Sequence, residues 1–220
     1  MPQRTIILVR HGQTDQSAPP ADKLGNGLTA QGIQQAELTG RRLAGLPVAA
    51  IRHSTARRAQ QTAEVIAAQF PGVPVQGDPV LLECIPAYPP AFVEWYSGVA
   101  GALPAGDTVP PAMRFWLDLW PSGTPWPVMA AEVAQAAAAY ERYFAPPPDG
   151  AGDAHEIIVC HGNIIRYFML RVLQAPPDLW IHADIYNCGI CEIVVRGERG
   201  TQLLSFNDSG HLPAELRMFF

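Results

Sequence analysis

The chain has 220 residues, 48% of them hydrophobic, and its 20 acidic and 15 basic residues give a net charge of −5. This length and apolar content predict a single domain over residues 1–220 with a sizeable core. Only one basic residue is a lysine, Lys23, which argues against a basic patch for nucleic acid. The longest apolar-rich stretch, 128–140, is interrupted by Glu132 and Gln135 and is shorter than the ~20 residues of a membrane span. Because no secretory signal is recognisable either, we expect a cytoplasmic protein with neither a nucleic-acid nor a membrane partner.

The first half of the chain alternates predicted strands and helices. Residues 6–9 form an apolar run that is typical of a strand buried on both faces. The next helix is expected to start near Thr29, a favourable N-cap residue, and the one after it to be capped by Ser54 and Thr55. This alternation predicts an α/β fold with a mostly parallel sheet. The other strand-like segments are 49–53, 73–76 and an apolar run over 80–83.

The pattern breaks between residues 84 and 127, where many prolines and glycines accompany eight aromatic residues. So many rings are seldom found in a solvated linker, so we predict an ordered, aromatic-rich insertion. It is compatible with a lid over a site, with a contact in a homodimer, or with a small separate core. The aromatic residues are Tyr88, Phe92, Trp95, Tyr96, Phe115, Trp116, Trp120 and Trp126.

A histidine and a glycine stand at the end of two apolar runs. His11 and Gly12 follow the first predicted strand after Arg10, and His161 and Gly162 follow a second run over 157–160. Residues 185–195 and 202–206 are expected to pair as antiparallel strands. The remaining predicted helices cover 128–144 and 164–173.

The four cysteines include a C-x-x-C pair, Cys188 and Cys191. Side chains three residues apart in a strand point to opposite faces, so this pair is not expected to share a ligand. The six histidines show no H-E-x-x-H or similar close spacing. The sequence therefore predicts neither a metal site nor a cofactor.

Several charged or titratable residues end or follow the predicted strands. Parallel strands place their carboxyl ends at one edge of a sheet, so these residues are expected to converge. Two arginines and two histidines favour an oxyanion, since a planar guanidinium matches a phosphate group in bidentate fashion. The amides that begin the helix after His161 would add to this anion site. The converging residues are Arg10, His11, Arg58, Glu83 and His161.

These residue types suit the transfer of a phosphoryl group. His11 can attack phosphorus and carry the phosphoryl group covalently. Glu83 is then expected to protonate the leaving group and later to deprotonate water, a role worth ~10²–10⁴-fold in rate. His161 and the two arginines would hold the equatorial oxygens, with no requirement for a metal ion. Taken singly, each residue also fits a structural or surface role, and it is their joint occurrence in this order that favours catalysis.

The motifs resemble those of the histidine phosphatase superfamily, also called the phosphoglycerate mutase-like fold. That resemblance implies a three-layer α/β sandwich, phosphate binding by Arg58 and acid/base catalysis by Glu83. The matching elements are R-H-G at 10–12, S-x-x-x-R-A-x-x-T-A at 54–63, L-x-E at 81–83 and the second H-G at 161–162. We further assign to substrate binding Gly12, Thr14, Gly162, Asn163 and His211.

Within the family, the chain resembles the mitochondrial serine/threonine phosphatase branch. The similarity depends on residues 35–40, 161–168, 173–177 and 208–213. We expect the chain to differ from that branch in having no amino-terminal membrane segment or partner motif, and in a longer aromatic stretch. The resemblance implies a phosphomonoester hydrolase that acts on a phosphoprotein or on a small phosphate ester.

Two alternative functions remain open. Phosphoglycerate mutases use the same phosphohistidine, but they must hold bisphosphorylated species. Residues 84–160 contain only Arg114 and Arg142 against eight carboxylates, which favours hydrolysis over phosphoryl transfer. A non-catalytic module that binds phosphorylated ligands is the second alternative, although such modules usually lack the nucleophile or the acid, and this chain has both.

Overall fold

A computed structural model describes residues 3–15, 25–99, 109–118, 126–148, 150, 152–197 and 200–219. Single turns of 3₁₀ helix cover Pro79–Leu81 and Ala214–Leu216, and a longer one covers Pro177–His182. Within the described residues, no helix has the length and apolar character to cross a membrane. The strands and α-helices are β1 (Gln3–Arg10), α1 (Ala30–Leu43), β2 (Val48–Ser54), α2 (Arg57–Ala67), β3 (Val75–Asp78), α3 (Pro90–Gly98), α4 (Pro111–Asp118), α5 (Trp126–Phe144), β4 (Ala154–Cys160), α6 (Gly162–Val172), β5 (Ile190–Arg196) and β6 (Gly200–Asp208).

The six strands form one sheet in the order β3-β2-β4-β1-β5-β6. Strands β1 to β4 are mutually parallel, whereas β5 runs antiparallel to both β1 and β6. In the register, Arg10 of β1 lies beside Cys160 of β4, and His53 of β2 lies beside Val159. The carboxyl ends of β1, β2 and β4 are therefore level, and the residues that follow them lie at one edge. The predicted α/β fold with a mostly parallel sheet is confirmed.

Apolar side chains on both faces of the sheet produce three layers. Ile6 and Leu8 of β1 point to the face that is covered by α5 and α6. Ile7 and Val9 point to the opposite face, which is covered by α1 and α2. All four residues are buried, and burying such a side chain contributes ~1.5–3 kcal/mol to stability. This double burial explains why the β1 sequence is a continuous apolar run.

Helix α1 begins where its sequence predicts and packs closely on the loop after β1. The Thr29 hydroxyl accepts a hydrogen bond from the Gly32 N–H at 3.0 Å, which caps the helix. A Cβ atom on Gly12 would lie 2.6 Å from the Gly32 carbonyl oxygen, and one on Gly32 would lie 2.2 Å from the Gln13 carbonyl oxygen. Only glycine fits at both positions, so this contact fixes the path of the chain directly after His11.

The strand predicted over 185–195 begins five residues later, at Ile190. Cys188 has a left-handed backbone (φ 56°), which interrupts the extended conformation, and its N–H donates to the Arg10 carbonyl at 3.0 Å. Residues 185–189 thus form a turn against the end of β1. Cys188 packs beside α1 and Cys191 packs on the opposite face of the sheet, so the two buried thiols belong to different parts of the core.

The run over 80–83 is not a strand, because the chain turns at Asp78 and Pro79. The Asp78 carboxylate accepts from the Val80 N–H at 3.1 Å and caps the turn Pro79–Leu81, while β3 covers Val75–Asp78 instead of 73–76. Glu83 follows in an irregular segment.

The cap predicted for the second helix is also wrong. Ala56 is the N-cap of α2, while the Ser54 hydroxyl accepts from the Ala56 N–H at 3.3 Å. Ser54 still belongs to β2, where the main chain is extended, so its hydroxyl supports the turn before the helix instead of the helix end itself.

The described part of the aromatic segment forms a small core of its own. Phe92 is fully buried at its centre, with Tyr88 and Tyr96 stacked on it at centroid distances of 5.2 and 5.6 Å. Trp116 of α4 and Trp180, beyond α6, close the cluster. These contacts favour the small separate core among the three interpretations. Trp120 and the side chain of Trp126 lie outside the described residues.

Candidate active site

Arg58 joins the two histidines that follow β1 and β4. Its Nε–H donates to Nε2 of His11 at 3.0 Å, and its Nη2 donates to Nδ1 of His161 at 3.0 Å. The imidazole rings meet edge to face with their centroids 5.2 Å apart. The His11 N–H also donates to the Cys160 carbonyl at 3.0 Å, which extends the β1–β4 pairing past Arg10. The fold therefore brings together three of the five side chains that the sequence predicted to converge.

The partners of each ring nitrogen define the tautomers. A guanidinium can only donate, so Nε2 of His11 and Nδ1 of His161 must both carry lone pairs. The proton of His11 is then on Nδ1 and is donated to the Gly12 carbonyl at 2.8 Å. The proton of His161 is on Nε2 and is donated to the Ser54 hydroxyl at 2.8 Å. His11 thus presents an unprotonated Nε2 to the site.

Burial keeps both rings neutral. The pKa of His11 lies well below its usual value because the ring is desolvated, and Arg58 and Arg10 lower it further despite the Gly12 carbonyl. The pKa of His161 is lowered for the same main reason, with added repulsion from His11, Arg58 and Arg10. At neutral pH the Nε2 atom of His11 is therefore available as a nucleophile without prior loss of a proton.

Arg10 supplies a second guanidinium at this edge of the sheet. One of its N–H groups donates to the carbonyl of Ile185 in the turn before β5. Its Nε–H is buried and has no hydrogen-bond partner among the described residues. Desolvation lowers the pKa of Arg10, while the negative charges of Glu83 and Asp184 oppose this effect. A buried donor of this kind is suited to an anionic oxygen.

Glu83 faces the arginines from the irregular segment after Pro79–Leu81. Water reaches its side chain, but the protein atoms around the carboxyl group desolvate it and raise its pKa. Arg58, Arg166 and Arg10 partly offset that rise, and so does the Asn163 backbone N–H, which donates to the carboxylate. Glu83 therefore keeps a proton to a higher pH than an ordinary glutamate, as a general acid requires.

Other predicted site residues have mainly structural contacts. The Gly12 N–H donates to the Thr62 hydroxyl at 3.0 Å, and Thr14 forms an isolated backbone bridge with Leu28. The side chain of Asn163 donates to the Cys84 carbonyl at 3.0 Å. Gly162, the first residue of α6, packs on the Arg10 guanidinium, since a Cβ atom there would lie 3.6 Å from its Nε.

His211 lies with a different set of residues. Its Nε2 is 3.0 Å from the hydroxyl of Thr39 on α1, and the neighbouring Leu212 is buried against Ala36 and Cys188. Burial lowers the pKa of His211. In the described part of the chain, none of its hydrogen bonds reaches the residues that Arg58 brings together.

Three residues that were not predicted as site residues also support the site. Arg166 donates to the carbonyls of Ala183 at 2.8 Å and of Gly162 at 3.2 Å, and its guanidinium lies 5.0 Å from the Trp180 ring. The Asn187 amide donates to the His11 carbonyl at 3.1 Å. Ser54, at the end of β2, holds His161. The sequence could have indicated only two of them. Ser54 lies at the end of a strand, and Arg166 lies one helical turn after Gly162.

The arrangement can hold and polarise a phosphate-like anion. Arg10, Arg58 and the start of α6 supply cationic or N–H donors around the unprotonated Nε2 of His11, and Glu83 supplies an exchangeable proton. In the residues that the structure describes, no group of three His, Cys, Asp or Glu side chains is placed to hold a metal ion.

Relatives of the chain carry phosphatase names. The chain is 33% identical over 212 residues to the serine/threonine-protein phosphatase Pgam5, mitochondrial, of Caenorhabditis briggsae, covering 95% of the chain and 64% of the relative. It is 31% identical over 216 residues to the human protein of that name, covering 96% of the chain and 65% of the relative. The chain thus spans about 64% of the length of the first of these relatives. Their mitochondrial names contradict the prediction of a cytoplasmic protein, which is wrong on this finding.

Solved structures agree on the fold. A phosphoglycerate mutase from Plasmodium falciparum is 29% identical and covers 100% of both chains with a TM-score of 0.58. YhfR of Bacillus stearothermophilus is 23% identical, covers 94% of this chain and 98% of its own, and has a TM-score of 0.66. The expected phosphoglycerate mutase-like fold is confirmed.

A family model identifies the chain directly. The histidine phosphatase superfamily (branch 1) matches residues 6–86 and 107–209. These ranges contain both histidines, both arginines and the glutamate of the site, and they omit part of the aromatic segment. The match covers well over half of the chain, and the chain therefore belongs to the histidine phosphatase superfamily.

Proposed function

We propose that the chain is a phosphomonoester hydrolase that works through a phosphohistidine on His11. The observation that carries this proposal is the bridge by Arg58 between Nε2 of His11 and Nδ1 of His161. The bridge holds the unprotonated Nε2 of His11 beside a guanidinium whose N–H groups can instead donate hydrogen bonds to a phosphoryl oxygen. The family and the phosphatase names of the relatives support this activity.

The first step transfers the phosphoryl group to the enzyme. Nε2 of His11 attacks phosphorus while the bond from phosphorus to the leaving oxygen breaks, and that oxygen takes the proton of Glu83. Arg10 and Arg58 hold the equatorial oxygens, whose charge is rearranged in the transition state, while the neutral His161, whose Nδ1 accepts from Arg58, orients that guanidinium. The alcohol leaves, and Glu83 is a carboxylate.

The second step returns the enzyme to its starting state. Glu83 removes a proton from a water molecule as that water attacks phosphorus, and the bond between nitrogen and phosphorus breaks. Inorganic phosphate leaves, Nε2 of His11 regains its lone pair, and Glu83 is protonated again. Every proton and bond is accounted for by these side chains and water, so we propose a metal-independent reaction.

For the substrate, we propose a phosphoserine or phosphothreonine side chain of a protein, or a small alkyl phosphate. The names of the relatives support the first class. Thr14, Asn163 and His211 stay in the proposal as residues that contribute to substrate binding through the elements that carry them.

Replacing the nucleophile tests the proposed reaction. We expect His11→Ala to lower kcat/KM for p-nitrophenyl phosphate by about 10³-fold or more, because removal of a residue on which covalent catalysis depends costs at least that much. His182→Ala, which changes an exposed histidine, is the matched control and should retain activity. Equal activity of His11→Ala and the parent protein would overturn the mechanism.

A panel of phosphorylated substrates separates hydrolysis from phosphoryl transfer. The Plasmodium falciparum neighbour is named a phosphoglycerate mutase, so phosphoglycerate belongs in a panel with phosphopeptides, sugar phosphates and nucleotides. Release of inorganic phosphate, with the largest kcat/KM for an alkyl phosphate or a phosphopeptide, supports the proposal. Movement of the phosphoryl group within phosphoglycerate without release of phosphate would contradict it.

A further inference from the structure

Two polar residues interrupt the otherwise apolar first half of α5, and both contact the segment that carries Glu83. Gln135 donates through Nε2 to the Leu82 carbonyl at 2.9 Å and to the Val80 carbonyl at 3.3 Å. Oε2 of Glu132 accepts from the Ile85 N–H at 2.8 Å. Because the two residues are three positions apart on a helix, they lie on one face. One face of α5 thus holds the main chain on both sides of Glu83.

The Glu83 segment needs such support because it has no ladder of backbone hydrogen bonds. It leaves the sheet at Asp78 and passes through the single turn Pro79–Leu81. The Leu82 N–H still donates to the Pro79 carbonyl at 3.1 Å, but side chains bond the Leu82 carbonyl, the Ile85 N–H and the Cys84 carbonyl, which accepts from the Asn163 side chain at 3.0 Å. The position of the Glu83 carboxyl group therefore depends on distant residues of α5 and α6.

Partial burial of the polar side-chain atoms of Glu132 and Gln135 costs free energy. Both side chains are half-buried, and desolvation raises the pKa of Glu132, with the Ile85 N–H opposing that rise. The same helix buries Met129, Ala136 and Ala139 in the core. Apolar residues at 132 and 135 would extend that packing but would leave the Leu82 carbonyl and the Ile85 N–H without these partners.

We propose that Glu132 and Gln135 are positioning residues that hold the carboxyl group of Glu83 at the site. This inference rests on the proposed function, in which Glu83 protonates the leaving oxygen. Neither residue touches the phosphoryl group or the reacting atoms, so their effect is confined to steps that need the proton of Glu83.

That restriction gives the test. An alkyl leaving group needs protonation, whereas p-nitrophenolate leaves without it, so misplacing Glu83 harms alkyl esters selectively. We expect Gln135→Met and Glu132→Leu to lower kcat/KM for phosphoserine by about 10²-fold, the cost of a displacement of about 1 Å. For p-nitrophenyl phosphate we expect kcat/KM to fall by less than about 3-fold, because its leaving group departs without the proton of Glu83.

Conservative and control variants separate positioning from folding. Glu132→Gln keeps a side-chain oxygen that can accept from the Ile85 N–H, so it should restore most of the phosphoserine activity lost in Glu132→Leu. Glu141→Gln changes a carboxylate of the same helix that pairs instead with Arg171 at 3.2 Å, and it should leave the ratio of the two substrates unchanged. Thermal unfolding of each variant confirms that the assayed protein is folded.

Glu83→Gln distinguishes failure of this inference from failure of the proposed function. If Glu83→Gln loses phosphoserine activity selectively but the α5 variants lower both substrates equally or neither, the positioning role is overturned while the acid role stands. If Glu83→Gln itself shows no selectivity, the acid role fails and the positioning role fails with it. Selective loss in Glu83→Gln, Gln135→Met and Glu132→Leu, with recovery in Glu132→Gln, supports both.

Discussion

The site is built from two parts that the chain supports in different ways. His11 and His161 follow strands in the middle of the sheet, and backbone pairing that extends from Arg10 to the His11 N–H fixes where they lie. Glu83 lies in an irregular segment whose main chain is held by side chains of α5 and α6. His11, the proposed nucleophile, is thus positioned by the fold itself, whereas Glu83, the proposed acid, is positioned by a few replaceable contacts.

Among the remaining predictions, the largest effect is expected at Arg58, which joins the two histidines that follow strands. Arg58→Lys keeps a positive charge but loses the planar pair of N–H groups that joins the two imidazoles. Because it also removes a donor to the phosphoryl oxygens, we expect kcat/KM to fall by about 10²–10³-fold for alkyl and aryl phosphates alike. Steady-state kinetics on both substrates measures this.

The neighbouring Arg57 offers a matched control for that substitution. Its guanidinium donates to the Gly25 carbonyl at 3.2 Å, so Arg57→Lys should change kcat/KM far less than Arg58→Lys does. A loss in Arg58→Lys that affects only the alkyl substrate would contradict the division between the two parts, because it would assign Arg58 to proton transfer.

A smaller effect is expected from the ionisation of Glu83. Its raised pKa means that the acid form, which the first step needs, is present at low pH and is lost as the pH rises through that pKa. The ratio of kcat/KM for phosphoserine to that for p-nitrophenyl phosphate should therefore fall with rising pH. Each value is calculated on the phosphate dianion, and the ionisation of His11 cancels in the ratio.

A bound phosphate dianion shifts the pH at which this substrate ratio falls. A dianion beside Glu83 disfavours the carboxylate, so the pH at which the ratio falls should be higher for kcat than for kcat/KM. In Glu83→Gln the ratio should be low and independent of pH. A ratio that rises with pH in the parent protein, or one that still changes in Glu83→Gln, would argue against Glu83 as the acid.

The difference between the two parts also decides what the sequence could reveal. An apolar run followed by a charged residue and a histidine predicts a strand end, and level strand ends bring His11, Arg58 and His161 together. The roles of these residues stay predictions. The same reasoning misplaced the run over 80–83, because apolar content does not show that Asp78 caps a turn at Pro79.

Other features depend on tertiary contacts that no local pattern encodes. The strand predicted from residue 185 is shortened by the left-handed backbone of Cys188. The contacts of Asn187 with His11, and of Glu132 and Gln135 with the Glu83 segment, join residues far apart in the chain. The cytoplasmic prediction failed because the absence of a recognisable secretory signal and of a membrane span carries no information about an organelle.

Trapping the covalent intermediate tests the central claim most directly. A rapid acid-free quench during turnover of p-nitrophenyl phosphate, followed by peptide mass spectrometry, should find one phosphoryl group on His11. Its linkage should be stable to alkali and labile to acid, as a bond between nitrogen and phosphorus is, and it should be absent in His11→Ala. A phosphoryl group on any other residue, or turnover by a protein that never carries one, would contradict the account.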